Sequence, residues 1–222
     1  MKILFFLFAF CSVGACKKKT VHHLKENRMQ QENLVNLVMQ NDIFHVKNAL
    51  DKGADVNMTD QKGRSLLLIA VVGKQTEMAK VLVAYKADVN LQDTQKDSAF
   101  LYAGASGQTE LVQLFLKNGA RFDVFNRYNG TALIPACERG HVETVKVLAH
   151  TKGFPVDHVN RLGWTALMEA VVLGDGSEKY QQIIHILKNA GADLNIPDQD
   201  GVTALQHSKS LGFREMVKIL ES

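Results

Sequence analysis

Cys137 and His141 come nearest in this chain to a nucleophile beside its base, a thiol and an imidazole four positions apart on one helix face. Both residues have a second reading. His141 stands in the phrase Gly140-His-Val-Glu143, which returns in outline as Gly107-Gln-Thr-Glu110 and Gly212-Phe-Arg-Glu215. An imidazole fixed in such a recurring phrase is expected to make structural hydrogen bonds. Cys137 falls where a small buried helix residue is expected, one position past the counterparts of Ala70 and Ala103. The remaining histidines (His22, His23, His45, His150, His158, His185, His207) have no metal-ligand spacing with cysteines or carboxylates. The Gly174-Asp-Gly176 turn lacks the lysine and preceding strand of a phosphate loop. The sequence therefore predicts no enzyme, catalytic residue, metal, cofactor or small-molecule substrate. The 26 basic and 23 acidic side chains nearly balance and form no basic stripe, which argues against nucleic acid.

The elements that would carry these residues repeat. Gly53-Ala-Asp-Val-Asn57, Lys86-Ala-Asp-Val-Asn90 and Gly119-Ala-Arg-Phe-Asp123 end on residues 33 positions apart, and Gly191-Ala-Asp-Leu-Asn195 is a fourth copy. A fixed period of that length marks a stack of supersecondary units. Ser65, Ser98, Thr131, Thr165 and Thr203 each precede an apolar run, where a hydroxyl caps a helix N-terminus. Gly107, Gly140 and Gly212 occupy positions where a helix ends in a left-handed residue. Between them, runs such as Leu111 to Leu116 and Thr144 to Leu148 are too apolar to stand alone, and each needs a neighbouring unit to cover it. Lys209, Arg214, Glu215 and Lys218 give the last copy the polar surface of a capping unit.

This pattern resembles the ankyrin repeat from about Asn33 to the C-terminus. The starts Ser65-Leu-Leu-Leu68, Ser98-Ala-Phe-Leu101, Thr131-Ala-Leu-Ile134, Thr165-Ala-Leu-Met168 and Thr203-Ala-Leu-Gln206 are degenerate versions of the family's Thr-Pro-Leu-His. The resemblance implies an all-α solenoid of about six β-turn and helix-turn-helix units, over 32–58, 59–91, 92–124, 125–158, 159–196 and 197–222. It also implies a protein partner on the concave face, met by turn tips and first helices. The second unit then offers Gln61, Lys62 and Arg64, and the third Thr94, Gln95 and Asp97. Aromatic and arginine residues, the types enriched at binding hot spots, crowd the next two units. These are Phe125, Arg127, Tyr128, Glu138 and Arg139, followed by Arg161, Leu162, Trp164 and Leu173. Trp164 is expected to project from its turn as the centre of the patch; packing across neighbouring turns is the other reading. The fifth unit runs 38 residues from Asn160 to Asp198, and the surplus is expected between its helices, in the stretch Leu173 to Gln182. An insertion in a solenoid maps to a loop on one face, often a binding face.

The first residues read differently. Lys2, the apolar run Ile3 to Phe10 and the small residues Val13-Gly14-Ala15 form a signal peptide over 1–15. The uncharged stretch is shorter than the roughly 20 residues a bilayer span needs. Cys16 follows directly, and Val13-Gly-Ala-Cys16 resembles the lipobox of bacterial lipoproteins, although that family commonly has Leu where Val13 stands and Ala or Ser where Gly14 stands. The resemblance implies cleavage before Cys16, its acylation, and a tether over 16–31. Without acylation, Cys16 would be a free thiol. Lys17, Lys18 and Lys19 would add attraction to anionic headgroups, roughly 1 kcal/mol each. In that family, the lack of Asp after the cysteine favours the outer membrane. The mature chain would keep only Cys16 and Cys137, which is no disulfide framework. The expected protein is thus a periplasmic, lipid-anchored scaffold or accessory factor for an envelope protein. The competing expectation is an immunity protein that neutralises a toxic periplasmic effector.

Overall fold

The computed structural model describes residues 33–222; the leader, Cys16 and the tether lie outside the described residues. The described chain forms six consecutive helix pairs. The first pair is α1 (residues 33–39) and α2 (Ile43–Asp51). Next come α3 (Leu66–Val72) with α4 (Thr76–Ala84), α5 (Ala99–Ala105) with α6 (Thr109–Leu116), and α7 (Leu133–Glu138) with α8 (Val142–Ala149). The last two pairs are α9 (Ala166–Val172) with α10 (Glu178–Asn189) and α11 (Ala204–Ser210) with α12 (Arg214–Glu221). Among the described residues, extended pairing is limited to one isolated bridge, Thr59 to Ser65.

First helices pack on first helices (α3, α5, α7, α9, α11), and second on second (α4, α6, α8, α10, α12). Leu66, Leu67, Met78, Leu82, Leu111, Phe115, Leu133, Leu148, Ile183 and Ile184 form one continuous apolar spine, all essentially without solvent contact. Each pair buries its apolar face against the next, so stability accumulates from nearest-neighbour interfaces. Polar residues keep the units in register. Asn57 Oδ1 accepts Asp88 N–H at 2.8 Å, and Asn90 Oδ1 accepts Arg121 N–H at 2.9 Å. The asparagines that end the first two phrases thus tie their units to the next. Asp123 instead pairs with Arg121 at 2.7 Å.

The hydroxyl caps form at four of five starts. Ser65, Ser98, Thr165 and Thr203 accept from the backbone N–H three residues on, at 3.0 to 3.3 Å. Thr131 does not, and its buried Oγ1 has no hydrogen-bond partner. In the other four helices the residue four beyond the cap donates to the cap carbonyl, as Glu169 N does to Thr165 O at 3.0 Å. In α7 that residue is Pro135, which has no N–H. The first turn cannot close, and the helix starts one residue late.

The left-handed turn after the first helix is filled by Asn41, Lys74, Gly107, Gly140, Gly176 and Gly212, with φ between 54° and 75°. Glycine is required at Gly107, where a Cβ would lie 2.6 Å from the His141 ring. The extra length of the fifth unit is divided, and not confined to a loop. The turn comes two positions late, at Gly176, and α10 has 12 residues against 8 in α6 and α8. The loop itself packs down. Phe213 lies over Gly176, Lys179 over Gly140, and Tyr180 Oη donates to Glu138 O at 2.8 Å.

Candidate functional site

Each unit from the second to the sixth opens with a turn built by one side chain. Asp60, Asp93, Asn126, Asn160 and Asp198 each accept, through one oxygen, the backbone N–H groups two and four residues on, at 2.8 to 3.1 Å. Neighbouring turns are then laced together, Thr94 N to Lys62 O at 3.2 Å and Arg161 N to Tyr128 O at 2.9 Å. The result is a rigid row of tips beside the row of first helices.

Between these rows lies a groove of about 480 Å³, running across the third, fourth and fifth units. Its wall includes Asp97 and Tyr102 from the third unit, Arg127, Tyr128, Glu138 and Arg139 from the fourth, and Asn160, Leu162, Glu169 and Leu173 from the fifth. Six of the nine residues expected to meet a partner are therefore gathered here: Arg127, Tyr128, Glu138, Arg139, Leu162 and Leu173. Tyr128, Leu162 and Leu173 hold their large apolar surfaces about half exposed (52%, 51% and 48%).

The other three are placed elsewhere. Phe125 stacks face to face on His158, with centroids 4.3 Å apart, and its carbonyl accepts from Gln92. Arg161 is exposed at a tip, and its backbone joins the fourth and sixth units. Trp164 does not project as expected. Its backbone N–H donates to Asn160 Oδ1 at 3.1 Å, and its side chain packs partly buried against the core. A wider depression of about 920 Å³ at the N-terminal end, lined by Leu34, His45, Lys52 and Met58, contains none of the nine.

The groove's electrostatics are set by three acids and two bases. Arg127 lies 5.0 Å over the Tyr128 ring and 3.9 Å from Asp97. Arg139 donates to Ala105 O at 2.6 Å. Burial raises the Asp97 carboxyl above its ordinary range and Asp93 adds to that, while Arg127 and Arg139 oppose it. Glu169 is the most displaced: only 5% exposed, it is pushed up to about 7, first by burial and then by Glu138, against one hydrogen bond from Asn160 Nδ2 at 2.8 Å. Glu169 was missed by sequence reasoning. Its signal was available: four positions beyond the cap, the other units carry Ile69, Tyr102, Pro135 and His207.

The thiol and imidazole do not form a catalytic pair. Cys137 is fully buried and its thiol pKa is raised well above its usual value, chiefly by burial. His141 stands at the N-cap of α8 without a side-chain capping bond, its ring against Gly107, and burial holds its pKa low. Among the described residues, no group of three or more His, Cys, Asp or Glu side chains is placed to hold a metal ion. None of the described helices is long and apolar enough to cross a membrane.

Stacked helix pairs, laced turns and a groove along the first helices define a repeat scaffold that displays a surface. The chain belongs to the ankyrin-repeat family: the family model for ankyrin repeats (3 copies) matches residues 34–126 and 100–198. It is 35% identical over 182 residues to the putative ankyrin repeat protein YahD of Escherichia coli (strain K12), covering 82% of this chain and 90% of that protein. Ankyrin repeat domain-containing protein 63 of Mus musculus is 34% identical over 90 residues, 40% of this chain and 23% of its own length. Among solved structures, the ankyrin repeat domain ABAYE2397 from Acinetobacter baumannii AYE superposes with a TM-score of 0.83 at 44% identity, covering 85% of this chain and 96% of that one. The ankyrin repeat protein EF0377 gives 0.82 at 41% identity, with the same coverage. Proteins of this family generally act as non-enzymatic protein-interaction modules.

Proposed function

We propose that the chain is a protein-binding module held at the bacterial envelope, with the groove across its third to fifth units as the partner face. The observation that carries this reading is the convergence of Tyr128, Leu162 and Leu173, half exposed, with Arg127, Glu138 and Arg139 in one concave surface. Aromatic, arginine and aliphatic groups on a rigid frame supply binding area at little ordering cost. The turns need no rearrangement to present them, since each is fixed by its own Asp or Asn.

Attachment rests on Cys16. Cleavage before it and acylation would hold the solenoid near the membrane, and the short tether and Lys17 to Lys19 would keep it close to the headgroups. A scaffold or accessory role for an envelope protein fits a binding face without chemistry of its own.

Capture of partners from detergent-solubilised membranes by the full-length chain, quantified by mass spectrometry, tests both parts. Tyr128→Ala should lower recovery of the specific partner about tenfold or more with the thermal midpoint nearly unchanged. Undiminished recovery would move the face elsewhere. Cys16→Ala should shift the chain from membrane to soluble fraction; unchanged fractionation would end the anchoring proposal.

A further inference from the structure

The floor of the groove holds a carboxylate that its own chain answers with a single neutral donor. Glu169 lines the groove, is 5% exposed, and accepts only from Asn160 Nδ2. Of its counterparts Ile69, Tyr102, Pro135 and His207, only His207 carries a comparable group, and His207 is matched by Asp198 at 2.7 Å. Asp97 and Glu138 line the same groove, opposed by Arg127 and Arg139. Both guanidiniums are occupied, one over Tyr128 beside Asp97 and the other on Ala105 O. With every group ionised, the groove carries one more negative charge than positive, and its deepest charge, on Glu169, has no cation beside it.

We propose that the groove receives a protein segment carrying one arginine between apolar residues, its guanidinium pairing with Glu169 at the floor and its neighbours covering Leu162 and Leu173. This rests on the reading of the groove as the partner face and adds the chemistry of what enters it. Arginine suits the floor better than lysine because a guanidinium is more weakly hydrated than an ammonium and its planar fork matches a carboxylate. The incoming charge cancels the groove's surplus and separates Glu169 from Glu138. In the free protein Glu169 titrates near 7, so docking at neutral pH drives off a proton. On the elements beside it, the charged and titratable groups are Cys137 and Glu138 of α7, Arg139 just beyond that helix, Asp97 and Arg127 of the turns, Tyr102 of α5, Lys179 and Tyr180 of α10, and His207 of α11. Glu169 is the one among them shifted to about 7. Through Glu169, binding should therefore weaken about tenfold between pH 8 and pH 6.

The test is a random peptide library displayed on phage and selected on the full-length chain. Recovered peptides are measured by fluorescence anisotropy and located by hydrogen exchange. Arginine flanked by apolar residues should be enriched, and citrulline in its place should abolish most of the affinity. Glu169→Gln still accepts from Asn160, so the variant should fold, with a thermal midpoint at or above the parent's. It should bind the arginine peptides about thirtyfold more weakly and lose the pH slope. Peptides that protect the groove but lack arginine, or that bind Glu169→Gln and the parent alike, would overturn this inference and leave the groove as partner face. Peptides that protect a different surface, or a selection that yields no groove binder, would overturn both.

Discussion

The fifth and sixth units solve the same local problem in opposite ways. In the sixth, the turn-forming Asp198 and the helix residue His207 meet at 2.7 Å, so each supplies the partner the other needs. In the fifth, the same two positions hold Asn160 and Glu169, at 2.8 Å, and the neutral amide leaves the carboxylate with a charge that nothing local cancels. The opening turn is wound the same way in both. One pair of side chains decides whether a repeat closes on itself or keeps an electrostatic demand directed into the groove. Protonation is how Glu169 meets that demand in the free protein, and an incoming cation is how it would be met in a complex.

The largest consequence is a stability profile with an unusual sign. Folding raises the Glu169 pKa from 4.5 to about 7, so the folded chain holds that proton more tightly than the unfolded one. Raising the pH from 4.5 to 7 therefore subtracts stability, and above 7 the loss is constant. Glu169→Gln should be more stable than the parent at pH 8 by up to about 3 kcal/mol and equal to it near pH 4, read from urea unfolding across pH. Asp198 behaves oppositely: its pKa is lowered, first by His207, and its contribution fades only as acid takes the pH below the usual carboxylate range.

A smaller effect comes from exchanging the two solutions. Asn160→Asp keeps the turn's acceptor but removes the donor and adds a like charge beside Glu169. It should cost about 2 kcal/mol at pH 8. Adding Glu169→His rebuilds the pair found in the sixth unit and should recover most of that loss; thermal denaturation of the single and double variants measures the coupling.

Smaller again is a contrast between two caps. Thr165→Val should cost about 1 kcal/mol by removing a formed cap. Thr131→Val should be neutral or slightly stabilising, because its hydroxyl is buried without a partner. The smallest is Cys137→Ala, at about 1 kcal/mol or less, given a small buried side chain among apolar neighbours.

Much of the frame was legible because it rests on short-range chemistry. A hydroxyl before an apolar run, a glycine in a left-handed turn and an asparagine at a phrase end act within a few residues or between adjacent copies. The period then multiplies each signal. Thr131 failed because Pro135, four positions away, removes the N–H that closes the turn. Lys74 and Asn41 fill the left-handed site without glycine, whereas at Gly107 the His141 ring leaves no room for a Cβ. Trp164 packs partly buried where projection was expected, a direction that residue type does not reveal. The groove was found in part, since its rim is rich in exposed aromatic and aliphatic groups. Its floor was missed because Glu169 is distinctive only when aligned with Ile69, Tyr102 and Pro135.

Where a partner touches the solenoid decides whether the groove is the binding face. A photo-crosslinking amino acid at position 128, on the groove rim, is compared with one at Lys117, exposed beyond the second helix of the third unit. Both variants are irradiated in intact cells and their adducts resolved by mass spectrometry. The groove account predicts a discrete protein adduct from position 128 and none from position 117. An adduct from position 117 alone would contradict it.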